Sequence, residues 1–162
     1  MKLLTYIILI ITLLVNSIGL SDLRKNYPLA NDNSEITQNM YNALSSISSN
    51  DKAILIAYKG AFSTILAKHS KQVKDKKTYF KEGITSLELA VEKDPNNIEI
   101  RCLRLGVQEN SPKFLKYKSA IPADKQFIIE HYASESSQEI KKFIKGYIKL
   151  SKSFNESEKQ LF

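Results

Sequence analysis

Apolar residues along this chain recur at three- and four-residue intervals between short polar or proline-bearing breaks, which is the pattern of amphipathic helices. It is clearest from Tyr79 to Asn110. Phe80, Ile84, Leu87 and Val91 fall on one helical face, while Lys81, Glu82, Glu88, Glu92 and Lys93 take the wetter side. Gly83 and Ala90 lie near the apolar face and are small enough to admit a second helix. Pro95 has no amide proton and its ring clashes with the preceding turn, so the helix ends at Asp94. Asn96 or Asn97 can cap the next helix by accepting from its free amides. There Ile98, Cys102, Leu105 and Val107 face inward, and Arg101, Arg104 and Gln108 share a polar side.

The rest of the chain follows the same grammar. Ser21–Asn33 is polar, contains Pro28, and reads as a linker. Asn33 or Ser34 can cap a helix carrying Ile36, Met40, Leu44 and Ile47, and Asp51 can cap a second from Lys52 to His69. That second helix buries Ile54, Ala57, Tyr58, Ala61, Ile65 and Leu66, and Gly60 with Ala61 permits a close crossing. Ser70–Lys77 is a basic break. Phe114, Leu115 and Tyr117 form a short turn packed under the central helices. A second proline corner at Pro122 opens a helix with Phe127, Ile128 and Tyr132. The last helix, Gln138–Phe154, sets Ile140, Phe143, Ile144, Tyr147 and Ile148 against five lysines between Lys141 and Lys152. Residues 155–162 read as a frayed tail. The fold expected over residues 34–154 is all-α, with about six or seven antiparallel helices in hairpins.

Phe80, Gly83, Leu87, Ala90 and Pro95, followed by the junction EKDPNN, resemble the second helix of a tetratricopeptide repeat. The likeness is confined to the Tyr79–Asn110 stretch. The first-helix signature with its tryptophan is absent, as is any second Asp-Pro junction, so the array resembled is a degenerate one. It implies stacked helix hairpins with a concave partner-binding surface. A compact α-bundle with one such hairpin fits the same residues.

With 43% apolar residues among 162, the chain can bury a real core, and five glycines with four prolines suit helices better than a turn-rich sandwich. Residues 1–20 read as a signal peptide, with Lys2 at the positive end, an apolar run from Leu3 to Val15, and Ser17-Ile18-Gly19 as the cleavage site. The expectation is therefore an exported protein, periplasmic or secreted. The alternative is a chain anchored by an uncleaved first segment. Cys102 is the sole cysteine, so an internal disulfide is excluded and the thiol reads as a small core group.

The formal charge of +7 first suggests nucleic acid, but export and the absence of a nucleic-acid signature argue for a solvated lysine surface. The Lys141–Lys152 helix is the segment suited to membrane contact, although a capping helix that closes the core explains its pattern better. No nucleophile elbow, phosphate loop or metal spacing occurs, so no catalytic, cofactor or metal residue is assigned, and the chain reads as non-enzymatic. His69 lies in the last turn of its helix, where it complements the dipole. The expected function is a scaffold that binds a protein or peptide partner in the envelope. Its candidate face comprises Arg101, Arg104, Gln108, Tyr58 and Tyr79, which could receive a carboxylate or an acidic peptide. The plainer alternative pairs the two arginines with Glu82, Glu88 or Glu99.

Overall fold

The structure, a computed structural model, describes residues 18–162. The expected signal segment lies outside the described residues except for its last three positions. Among the described residues there are eight α-helices and no strand, so the chain is all-α. The helices are α1 (Leu20–Ala30), α2 (Ser34–Ala43), α3 (Ala53–His69), α4 (Val73–Lys93), α5 (Ile98–Asn110), α6 (Ile121–Tyr132), α7 (Gln138–Leu150) and α8 (Glu156–Lys159). A single 3-10 turn, Lys113–Leu115, links α5 to α6.

The centre is α5. Ile100, Leu103 and Val107 face one core, shared with Leu23, Phe62 and Leu87. Ile98, Cys102 and Leu105 face a second, shared with Ile128, Ile144, Ile148 and Phe154. A helix between two cores needs two apolar faces, and that pattern blurs the single stripe read from the sequence. Asn97 starts α5 as expected, its side chain accepting from the amides of Glu99 and Ile100.

The tightest pairing joins α3 to α4, whereas the proline corner had suggested that α4 pairs with α5. Gly60 and Gly83 meet at the crossing, where a Cβ on either would lie 2.7 Å from the carbonyl oxygen of the other. The small residues were read correctly and their partner was not. A corner only makes helices consecutive, and side-chain size at the contact decides which of them pack.

Several segment boundaries also differ. The expected linker is α1: Leu23, Tyr27 and Ala30 give it an inward edge, and Pro28 lies inside its last turn, where it offers no amide to the Arg24 carbonyl. The basic break shrinks to Ser70–Gln72, because the lysines that follow belong to the first turns of α4. Asp51 caps nothing; its carboxylate accepts from the Ser48 amide and hydroxyl at 2.8 and 2.9 Å, closing the loop before α3. The His69 ring donates Nε2–H to the Ala30 carbonyl at 3.0 Å, so it serves the end of α1 as well as its own helix.

The tail is folded. Asn155 and Glu158 form a reciprocal capping box at α8. Phe154 is buried, and Phe162 meets the Tyr132 and Phe154 rings edge-on at 4.7 and 5.7 Å. Lys125, 2.7 Å from Glu158, and the Asn155 amide hold that carboxyl below the usual glutamate range.

Candidate functional site

Three polar anchors fix α5 and decide what its arginines can do. Near its start, Glu99 accepts both nitrogens of the Arg24 fork at 2.8 Å and the Tyr58 hydroxyl at 2.6 Å. Burial, then the adjoining carboxylate, pushes the Tyr58 phenol far up, and the hydrogen bond to Glu99 raises Arg24. Midway, Arg104 forks onto Asp124 at 2.8 and 2.7 Å and reaches Glu88 at 2.7 Å. Burial opposes the Arg104 charge, but its bonds to Asp124 and the two nearby carboxylates outweigh that and hold it firmly protonated. Arg101 adds a second guanidinium to Asp124 at 3.0 Å and lies over the Phe127 ring. Near the end, Glu109 accepts from the hydroxyls of Tyr147 and Ser151 and from the amides of Lys152 and Ser153, pinning the end of α7.

The five expected face residues therefore do not make one surface. Tyr58, Arg104 and Gln108 are buried, and Arg101 is committed to Asp124 and the Pro95 carbonyl. Tyr79 stands apart, edge-on to Tyr41 at 5.6 Å. The plainer alternative had one partner right, Glu88, but the main counter-charge is Asp124 on α6. Asp124 lies twenty residues beyond Arg104, where helical spacing gives no hint of it. Tyr41 is pushed up to about 12, by burial and then by the Glu82 carboxylate that its hydroxyl contacts at 3.2 Å.

An open groove lies elsewhere, with a volume of about 900 Å³. Its floor and walls come from Tyr27 and Pro28 of α1, Ile65 of α3, Gly106 and Val107 of α5, and Phe80 and Ile84 of α4. Phe114 and Leu115 form one lip. Phe114 is 80% exposed, so the expected packed turn is instead an apolar side chain held out to solvent. Every charged residue lining the groove is a lysine: Lys68, Lys76, Lys77 and Lys81. Lys68 is engaged by Asn31 at 2.9 Å and Asp32 at 3.7 Å. The side-chain ammonium groups of the other three make no ion pair or hydrogen bond among the described residues.

The stripe predicted on α4 explains why the groove exists. Leu87 and Val91, in its C-terminal half, are buried in the core, but Phe80 and Ile84 pass out of it and line the groove, as does Val73, 66% exposed, at the start of the helix. The helix carries more apolar face than the fold covers. That excess was visible in the sequence; which half stays uncovered was not. The three lysines were visible too, but Lys76 and Lys77 read as part of a break and Lys81 as the wet side of a helix.

The Lys141–Lys152 helix, now α7, spends Ile144 and Ile148 on the second core and shows lysines to solvent, leaving only Leu150 as an exposed apolar residue. Among the described residues no helix is long and apolar enough to cross a membrane, and no three acidic, histidine or cysteine side chains gather as a metal site requires. Cys102 is buried in the second core, and that burial raises its thiol well above the ordinary range. No family model, curated protein or solved structure matches the chain.

Proposed function

We propose that this protein is a non-enzymatic helical binding protein of the cell envelope that holds a segment of another protein in the groove between α1, α3, α4 and α5. The observation that carries the reading is the run-out of the α4 apolar stripe from core to groove, with Phe114 extended over its lip. Contiguous exposed apolar surface rimmed by charge is characteristic of interaction sites. The envelope location rests on the apolar first segment of the sequence.

Photo-crosslinking in the expressing cells tests this directly. A photoreactive side chain placed at Ile84 or Phe114 is expected to give one adduct of defined mass. The same group at Lys142, on the exposed lysine side of α7, is expected to give none. Equal labelling from all three positions, or no adduct from the groove, would overturn the reading.

A further inference from the structure

Resting on that reading of the groove, we propose that its occupant is an acidic amphipathic α-helix of a partner protein, about three turns long, with its apolar side on Phe80, Ile84 and Val107 and its carboxylates opposite Lys76, Lys77 and Lys81.

Three properties of the groove select this occupant. The first is charge. Three unpaired ammonium groups within six residues of α4 surround an apolar floor with no carboxylate among its lining. The nearby Glu82 turns away and contacts Tyr41. The chain's own first seventeen residues contain Lys2 and no acid, so they would leave that charge unanswered. A second copy of a chain of charge +7 would add to it.

The second is backbone chemistry. Apart from the lip formed by residues 111–115, the walls are mainly helical, with most amides and carbonyls used within the helices, and the side chains between them are mostly apolar. A backbone lowered into such a groove must satisfy its own polar groups, and a helix does so whereas an extended strand does not. The third is size. The part of α4 that lines the groove, Val73 to Ile84, spans about 16 Å at 1.5 Å per residue. Half of a cylinder of that length and about 11 Å across fills roughly 800 Å³. The groove, with a volume of about 900 Å³, has room for such a segment. Carboxylates at successive turns of the occupant would match lysines spread along two turns, which a ligand with a single acid group cannot do.

The test uses protein purified from cells expressing the full sequence, titrated with fluorescent peptides of defined design. One peptide carries leucines at i, i+3, i+4 and i+7 with flanking glutamates. The others replace glutamate by glutamine, replace it by lysine, or scramble the acidic sequence. The glutamate peptide is expected to bind and to gain helicity in circular dichroism. Its affinity is expected to fall about tenfold on changing glutamate to glutamine, as three rim ion pairs would imply, and further with added salt. A Lys76→Glu/Lys77→Glu/Lys81→Glu variant with unchanged circular dichroism is expected to lose the acidic peptide and gain the lysine one. Equal binding of the glutamine peptide would overturn the acidic helix and leave the groove reading standing. Equal binding of the scrambled peptide would also overturn it, by showing a lysine patch without helix recognition. Binding of sodium dodecanoate with no binding of any peptide would replace the proposal with an acyl-chain ligand. No peptide bound, together with no crosslink from Ile84 or Phe114, would remove both readings.

Discussion

Arg104 shows how much one residue's meaning depends on its neighbours. In the sequence it is an exposed helical arginine awaiting a partner; in the structure it is 6% exposed and already has two. Arg104→Ala would leave the fully buried Asp124 carboxylate with only Arg101 beside it. A buried charge left wholly without a partner costs about 3–5 kcal/mol, and Arg101, 3.0 Å from Asp124, sets the loss toward or below the low end of that range. Against a total stability of about 5–15 kcal/mol for a domain, that is a serious loss. The expected result in urea denaturation is a large fall in midpoint. Arg104→Met/Asp124→Leu, which removes both charges, is expected to recover most of it. A double variant no better than Arg104→Ala alone would show that the pair supplies packing and not charge balance. For the same reason, a binding defect in an Arg101/Arg104 variant would report on stability before it reported on a binding face.

At the scale of elements, the helix crossing between α3 and α4 makes the sharpest demand on side-chain size. Gly83→Ala would drive a methyl group into the Gly60 carbonyl, a backbone atom that cannot rotate away. Overpacking of this kind costs about 1–3 kcal/mol. Gly146, in the middle of α7, has nothing within 4 Å of its would-be Cβ. Alanine there is expected to stabilise by about 0.5–1 kcal/mol through helix propensity alone. Thermal melts of the two variants should move in opposite directions, and a shared direction would mean that the helices can slide apart at the crossing. The helices themselves were legible because three- and four-residue periodicity is local, as were the Asn33 and Asn97 caps, each a polar side chain just before an apolar run. Two segments were misread because their order comes from distant partners. Arg24 and Tyr27 secure α1 through contacts with α5 and α3, and Lys125 and Tyr132 of α6 hold the tail. Polarity and a proline outweighed those partners in the sequence because a sequence does not show them.

For the whole molecule, the division of labour between the arginines and the lysines is the main finding. The arginines, with a planar fork suited to carboxylates, are spent inside, at Glu99 and Asp124. The lysines stay outside, and three of them line the apolar groove beside α4. The sequence reading expected an acid-seeking concave face and placed it on arginines. The structure puts the apolar concavity on α4 instead. Net charge could not distinguish the two, since it counts both residue types alike.

The anchors of α5 also bear on how quickly the chain acquires and loses its fold. Each joins residues far apart in sequence: Arg24 to Glu99 across 75 positions, Arg104 to Asp124 across 20, Tyr147 to Glu109 across 38. The α3–α4 hairpin needs only the short turn at Ser70–Gln72 to bring its glycines together. Local pairing closes before distant pairing, because loop closure must precede the contacts that reward it. The hairpin should therefore be formed at the folding barrier and the ion pairs should not. Stopped-flow chevrons are expected to show Gly83→Ala slowing folding, and Arg104→Ala leaving the folding rate nearly unchanged while accelerating unfolding. The central ion pairs would then govern the lifetime of the folded protein more than its speed of formation.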